Sequence, residues 1–125
     1  MELLDTVPIF TVSNLERALA FYGSTLGFET EFSMDGFPYA GVRRGPLALH
    51  LDGGSHEFAQ IPTHCRFHIR GVDDLYAELH PRGVVKPGEE LATMPHGLRQ
   101  FSILDPDGNR ITFAEPVRVV GTPLP

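Results

Sequence analysis

The residues best suited to chemistry lie in one stretch of alternating polar and apolar side chains. His64, Arg66 and His68 alternate with the apolar residues Cys65 and Phe67. Successive side chains of a β-strand point to opposite faces, so this alternation predicts a half-buried strand with one polar face. A histidine near pH 7 is either a neutral acceptor or a charged donor, which suits a ligand rich in amides and imidazoles. A solvated face without a ligand would give the same pattern.

A further histidine and a group of aromatic rings lie in the first half of the chain. His50 stands between two leucines, which predicts a strand that turns the imidazole away from its apolar face. Phe32, Phe37 and Tyr39 fall in a short segment punctuated by glycine and proline. Three rings are more than a short hairpin needs, and packing of the loop against a second subunit is one explanation for them.

The remaining reactive groups form no familiar catalytic motif. The sequence contains no GxSxG, Walker or GxGxxG pattern. Glu89 and Glu90 are adjacent carboxylates in a loop with proline and glycine, where we expect both to be solvated. Cys65 alternates into the apolar face of its strand, which predicts an unreactive core thiol. It is the single cysteine, so it has no partner for a disulfide within the chain.

Length and charge indicate one acidic domain. The chain has 125 residues, of which 42% are hydrophobic, and this is enough for one core without disulfides. Sixteen acidic residues against ten basic ones give a net charge of −6. The basic surplus that neutralises phosphates is missing, so we expect no nucleic-acid partner. The negative field favours a cationic ligand.

No segment predicts a membrane span or an export signal. The sequence has no apolar run near the ~18 residues that a transmembrane helix requires. It also lacks a basic N-terminal region followed by an apolar stretch. We therefore expect a cytoplasmic protein with no membrane partner.

The first half of the chain predicts a strand, a helix and three further strands. An apolar strand is expected within residues 7–12, and Ser13 with Glu16 predicts a capping box, with Asn14 as a competing N-cap. Apolar residues then recur at helical spacing until Gly27, which is placed to end the helix. The three following strands are predicted at residues 28–32, 39–43 and 47–51.

The second half repeats this order about 57 residues later. Residues 64–69 predict a strand, Asp73 or Asp74 would cap the next helix, and Gly83 ends it. A hairpin across the turn sequence DPDGN follows, with strands at 101–104 and 110–115. We predict a single α+β domain of two tandem βαβββ modules, about 1–58 and 62–117, with a short C-terminal tail at 118–125.

The chain resembles the vicinal-oxygen-chelate superfamily along nearly its whole length. The resemblance lies in VPIFTVSNLERALAFY at 7–22, LGF at 26–28 and DPDGN at 105–109. This superfamily includes glyoxalase I, extradiol dioxygenases, fosfomycin-resistance enzymes and bleomycin-resistance proteins. The segments YAGVRRG at 39–45 and LHL at 49–51 look specifically like the bleomycin-binding branch. The resemblance implies two βαβββ modules whose mixed sheets curl around a cavity, usually completed in a homodimer.

The resemblance also implies four positions that hold a metal in enzymes of the superfamily. In this sequence they are Val7, His50, His64 and Thr112. Valine has no donor atom, and a threonine hydroxyl is a poor replacement for a carboxylate. Glu115 lies three residues further along its strand, on the opposite face, so it cannot simply substitute. We therefore expect no metal and no other cofactor, with His50 and His64 as weak candidate ligands.

For the bleomycin-binding branch the resemblance implies a drug-binding site. Rings of the first module sandwich the flat bithiazole of the drug, a role that falls to Phe32 and Tyr39. His96 stands where the branch has a tryptophan, and imidazole offers a smaller stacking area. The predicted ligand-binding residues are Phe32, Tyr39, His50, His64, Arg66, His96, Arg99 and Thr112.

These observations lead to three hypotheses of function. The leading one is a homodimeric antibiotic-binding protein that sequesters a flat cationic or amide-rich ligand in grooves at the dimer interface, without catalysis. The alternative is a metal-dependent glyoxalase-like lyase or extradiol-type dioxygenase, in which Glu89 completes a divalent metal site with His50 and His64. The third is a structural domain whose cavity is filled by its own side chains.

Overall fold

The chain divides into two units, each with the predicted order of elements. The computed structural model describes residues 1–54 and 61–117. Unit 1 is Met1–Thr63 and unit 2 is His64–Pro125. The predicted tail at 118–125 lies outside the described residues. The prediction of a single domain and the module boundaries stay predictions.

Unit 1 combines one helix with a four-stranded mixed sheet. Its elements are β1 (Ile9–Thr11), α1 (Leu15–Ala20), β2 (Glu29–Ser33), β3 (Tyr39–Arg44) and β4 (Leu47–Asp52). The strand order is β1-β4-β3-β2, in which β1 is parallel to β4 and the other neighbours are antiparallel. All four strands were predicted, and their ends differ from the predicted ones by no more than two residues.

Helix α1 begins later than a capping box at Ser13 would require. The backbone of Asn14 is extended, and its side-chain oxygen accepts a hydrogen bond from the Arg17 amide at 2.9 Å. Asn14 is therefore the N-cap, and the capping box at Ser13 is wrong. The helix continues into a π-helical turn, Phe21–Thr25, and the chain leaves it at Gly27 with a left-handed φ of 76°.

The core of unit 1 lies between α1 and one face of the sheet. Tyr22 and Leu26 are buried on the helical side, and Phe10, Leu49 and Leu51 are buried on the strands. Strand side chains alternate, so the residues between these positions point away from the helix. We call this second side of the sheet the open face of unit 1.

Unit 2 repeats the arrangement. Its elements are β5 (His64–His68), α2 (Val72–Leu79), a 3₁₀ turn (His80–Arg82), β6 (Ala92–Thr93), β7 (Leu98–Leu104) and β8 (Arg110–Pro116). The strand order is β5-β8-β7-β6, again with one parallel pair, β5 and β8. Tyr76 of α2 makes an edge contact with Phe101 of β7 at 5.1 Å between ring centroids, so Phe101 faces the helix. The opposite side is the open face of unit 2.

The start of α2 differs from the prediction. The N-cap is Gly71, with φ 85°, and neither Asp73 nor Asp74 caps the helix. The carboxylate of Glu115 instead accepts hydrogen bonds from the amides of Gly71 and Val72, both at 2.9 Å. A carboxylate distant in sequence thus satisfies the free N–H groups at the start of the helix. Asp73 and Asp74 lie in the first turn, where their negative charges interact favourably with the positive end of the helix dipole.

Two further features complete unit 2. At the predicted DPDGN turn, Asp105 Oδ1 accepts from the amides of Asp107 at 2.9 Å and Asn109 at 2.8 Å, which closes the β7–β8 hairpin. Strand β6 was not singled out in the sequence because two exposed residues give no alternation. The α+β class with tandem βαβββ units and mixed sheets is confirmed, and each sheet is an open one.

The helices of both units are short. Among the residues described, none forms a helix long and apolar enough to cross a membrane.

Candidate functional site

Strand β5 has the two faces that its sequence predicts. Cys65 and Phe67 are buried, whereas His64, Arg66 and His68 are exposed on the open face of unit 2. Burial raises the pKa of the Cys65 thiol to about 11, so the thiol is protonated at neutral pH. This confirms that Cys65 is a core residue rather than a nucleophile.

His64 uses both of its ring nitrogens. Arg110 Nη2 lies 2.9 Å from Nδ1, and Nε2 lies 2.8 Å from Thr112 Oγ1. A guanidinium only donates, so Nδ1 is the acceptor and the ring is the neutral tautomer with its proton on Nε2. The pKa of His64 is lowered, first by burial and then by the charges of Arg110 and Arg66, which agrees with a neutral ring.

The hydrogen-bond chain continues into two buried hydroxyl groups. Thr112 accepts from His64, so its own proton is free to point at Ser102 Oγ, 2.7 Å away. Both hydroxyl groups are about 1% exposed. Their positions follow from strand pairing, because Thr112 lies between Arg66 and Ser102 in the register of the sheet. The open face of unit 2 therefore has buried hydroxyl groups beneath a layer of nitrogen-bearing side chains.

Glu89 is the last member of this network. The prediction that it is solvated is wrong. Its carboxylate accepts from Arg110 at 2.9 and 3.0 Å and pairs with Lys86 at 2.7 Å. Burial of Glu89 raises its pKa, but hydrogen bonds from Lys86, Ser102 and Arg110 outweigh that effect and hold it at about 2. Glu90 is exposed, as expected. No local pattern predicts the contacts of Glu89, because they depend on where its loop meets the sheet.

Three other predicted ligand-binding residues of unit 2 have no hydrogen bond to the His64 network in the described residues. Arg66 donates to Gln100 Oε1 at 2.8 Å. Arg99 forms an ion pair with Asp73 of helix α2, with Nη2 2.9 Å from Oδ1, on the side of the sheet that faces the helix. His96 is exposed in the turn before β7, and it has no ring contact with any residue of the described ranges. The structure does not bring Arg99 and His96 together with His64.

The open face of unit 1 holds a row of four residues, one from each strand. Ile9, His50, Gly41 and Phe32 are successive partners in the register of the sheet. The ring of Phe32 lies over Gly41, where an added Cβ would come within 2.3 Å of a ring carbon. Glycine is therefore required for this approach. Phe32 remains 36% exposed and Ile9 54% exposed, which leaves apolar surface along the row.

Tyr39 joins Phe32 and His50 in an aromatic trio. The ring centroids of Phe32 and His50 are 5.0 Å apart, those of Tyr39 and His50 are 5.4 Å apart, and Phe32 and Tyr39 are stacked at 6.3 Å. The Tyr39 hydroxyl lies 2.9 Å from His50 Nδ1. The pKa of Tyr39 is raised, first by burial and then by the charge of Asp52, so the hydroxyl keeps its proton in this hydrogen bond. The trio brings three of the predicted ligand-binding residues together.

The four positions that hold a metal in related enzymes do not fit a divalent cation here. Val7 offers no donor, and the buried hydroxyl of Thr112 is already hydrogen-bonded. His64 has no free nitrogen, and the Arg110 cation contacts it. Glu115 is turned toward the start of α2. Within residues 1–54 and 61–117, no group of three or more histidine, cysteine or acidic side chains is arranged to hold a metal ion.

Comparisons with known proteins identify similar chains of known name or structure. A bleomycin resistance protein of Geobacillus stearothermophilus is 26% identical, in an alignment that covers 93% of this chain and 99% of the relative. Among solved structures, the bleomycin-binding protein of Streptomyces verticillus, complexed with copper(II)-bleomycin, is 27% identical with a TM-score of 0.76. That match covers 95% of this chain and 99% of the other.

A second structure and a family model extend the result. A member of the glyoxalase, bleomycin resistance protein and dioxygenase superfamily from Sphaerobacter thermophilus is 28% identical, with a TM-score of 0.76. It covers 91% of this chain and 98% of its own. The family model described as "Glyoxalase superfamily protein" matches residues 1–119. The resemblance seen in the sequence is thereby confirmed, and the chain belongs to the glyoxalase superfamily.

Proposed function

We propose that the protein binds and sequesters a small-molecule antibiotic of the bleomycin type, without catalysis. The observation that carries this proposal is the aromatic trio of Phe32, Tyr39 and His50 on the open face of unit 1. The names of its relatives support it, since they include bleomycin resistance and bleomycin-binding proteins. The proposal includes the ligand class, a dimer and the absence of catalysis.

The aromatic trio suits a flat ligand better than a purely structural role. Phe32 and Tyr39 lie with their ring planes 24° apart, and Phe32 keeps part of its surface exposed. Phe37, which is 49% exposed, adds a third ring at 6.5 Å from Tyr39. Buried rings would account for packing alone, whereas partly exposed rings held by hydrogen bonds and by Gly41 offer a preformed stacking surface.

The polar groups of unit 2 favour binding over a chemical step. A general base needs a free nitrogen or carboxylate, yet His64 is hydrogen-bonded through both nitrogens and Glu89 is paired with two cations. The Cys65 thiol is buried and protonated. Among the polar groups of this face, Arg66 keeps donors available, and these suit the carbonyl oxygens of an amide-rich compound.

We further propose that the protein acts as a homodimer in the cytoplasm. Unit 1 leaves several large apolar side chains exposed, among them Leu3, Leu4, Ile9 and Met34. A second copy would cover such surface, and grooves at the interface would then enclose the drug. Sedimentation equilibrium is expected to give twice the subunit mass of 13.8 kDa. A mass of one subunit at working concentration would contradict the dimer.

Isothermal titration calorimetry with bleomycin tests the binding function. We expect saturable binding that weakens about tenfold in Phe32→Ala, because a ring pair contributes ~0.5–1.5 kcal/mol beyond area burial. Phe37→Ala gives a graded comparison, since it removes the third ring, which lies outside the cross-strand row, and should weaken binding less. Absence of binding heat, together with no protection of cells that express the protein, would refute bleomycin as the ligand.

Metal analysis separates this proposal from the metal-dependent enzyme. Protein purified without chelator is expected to carry far less than one metal ion per subunit, because the four family positions offer no adequate ligand set. A stoichiometric ion, lost together with an activity when His50 is replaced, would support a lyase or dioxygenase instead.

A further inference from the structure

One arginine on the open face of unit 2, Arg66, has a neutral hydrogen-bond partner, whereas Arg110 on the same face pairs with a carboxylate. Four arginines of the described residues each pair with a carboxylate: Arg43 with Glu31, Arg82 with Glu78, Arg99 with Asp73 and Arg110 with Glu89. Arg66 bonds instead to the neutral amide of Gln100. No acid pairs with Arg66 in the part of the chain that the structure describes. Arg17 and Arg44 also bond to neutral oxygens, those of Ser13 and Leu26, but both lie in unit 1.

Gln100 holds the guanidinium and leaves most of its donors free. Arg66 Nη1 donates to Gln100 Oε1 at 2.8 Å, which uses one of five N–H groups. Gln100 lies two residues from Ser102 on β7, and Ser102 shares a cross-strand row with Thr112 and Arg66. The planar fork of an arginine binds two oxygens of one oxyanion at once, and prior positioning lowers the entropy cost of doing so.

The charges around Arg66 also favour an anion. Lys86 and Arg110 add two positive charges to the network, and Glu89 supplies one negative charge. His64 is held neutral by its hydrogen bonds, so it neither cancels nor adds charge. The open face of unit 2 is therefore locally positive on a chain whose net charge is −6. A local cationic site within an acidic molecule selects for negative groups at short range.

We propose that Arg66 is a specificity residue that binds an oxyanion group of the ligand, such as a carboxylate, sulfate or phosphate. The proposal rests on the proposed function only in treating the open face of unit 2 as a surface that meets a ligand. It narrows the ligand class from a flat amide-rich compound to one that also carries a negative group. It does not require that compound to be bleomycin.

Matched naphthalene probes test this role by NMR titration of the full chain. The probes are 2-naphthoate, 2-naphthamide and 2-naphthylmethylammonium, which share one flat ring system and differ in charge. We expect 2-naphthoate to shift the backbone amides of residues 64–68 and to bind roughly tenfold more weakly to Arg66→Gln. Arg82→Gln, which removes an exposed arginine of the helical side, should bind it as the natural chain does.

The outcomes distinguish this proposal from the antibiotic-binding function. Equal affinity of 2-naphthoate for the natural chain and Arg66→Gln would overturn it, as would tighter binding of the ammonium probe or no binding at all. Matching thermal unfolding of the two proteins establishes that the variant is folded. Failure of bleomycin to bind, with the carboxylate preference and its dependence on Arg66 intact, would refute bleomycin as the ligand and support the role of Arg66.

Discussion

The two units build different surfaces on the same row of a shared scaffold. In unit 1 the row reads Ile9, His50 and Gly41, and in unit 2 the corresponding row reads Arg66, Thr112 and Ser102. Apart from His50, the first row is apolar and leaves room for the Phe32 ring, whereas the second row consists of hydrogen-bonding groups. Both rows lie on the open faces, on the side of each sheet away from the helix.

The difference separates the helix-facing positions, which are alike in the two units, from the open-face positions, which are not. The helix-facing positions have stayed apolar in both units, as Leu49 of β4 and Ile111 of β8 illustrate. The open-face positions have diverged without disturbing strand order or register.

The largest expected effect tests whether the two cores are equivalent. Leu49→Ala and Ile111→Ala change corresponding, fully buried positions, and each should lower the free energy of unfolding by about 3 kcal/mol. Urea denaturation measures both, with the exposed Leu3→Ala as a control that should change little. If one core variant costs less than ~1 kcal/mol, the two units do not have comparable cores.

A change at Gly41 tests the apolar row alone. In Gly41→Ala the new methyl group would collide with the Phe32 ring, so the ring must move, at a cost of about 2 kcal/mol. The matching change in unit 2, Ser102→Ala, removes one hydrogen-bond partner of Thr112 and should cost about 1 kcal/mol. Urea denaturation measures the stability of both variants. In Gly41→Ala, the nuclear Overhauser effect between Phe32 and His50 shows whether the Phe32 ring has moved. Unchanged stability with an intact effect in Gly41→Ala would disprove the close approach.

The smallest expected effect is a pH dependence specific to the polar row. The pKa of His64 is lowered from 6.5, first by burial and then by Arg110 and Arg66. As pH falls below 6.5, the unfolded chain takes up a proton at this residue before the folded chain does. Stability from His64 is therefore fully present above that pH and decreases as pH falls through the lowered pKa.

His64→Gln isolates this pH effect, because an amide keeps one donor and one acceptor without titrating. Between about pH 7.5 and about pH 5.5, the natural chain should lose more unfolding free energy than the variant does. Urea denaturation at both pH values gives the comparison. A larger loss in His64→Gln would mean that the histidine is charged in the folded state.

Local patterns in the sequence predicted most of the fold. Alternation around Cys65 gave the faces of β5, and the DPDGN segment gave the β7–β8 hairpin, because both signals depend on neighbouring residues. The predicted caps at Ser13, Asp73 and Asp74 were wrong. For α2 the cap came from Glu115, which is distant in sequence, and a local rule cannot find such a partner.

The candidate site was predicted only in part, because local patterns do not show contacts between segments that are distant in sequence. Phe32, Tyr39 and His50 meet because they share one face of one sheet. Arg110 meets His64 as its partner in the parallel β5–β8 pair, and Glu89 reaches Arg110 from a loop. Both contacts join segments that are distant in sequence, so they were missed. Ser102 could have been found by extending the predicted hairpin register from its turn, which pairs it with Thr112.

The capping of helix α2 by Glu115 has a consequence for the order of folding. Glu115 lies 44 residues after Gly71 and 43 after Val72, so α2 gains its cap only when the last strand docks beside β5. A short helix is marginal in water by itself. The helix and the parallel strand pair therefore gain stability together, in a late step that must close a long loop.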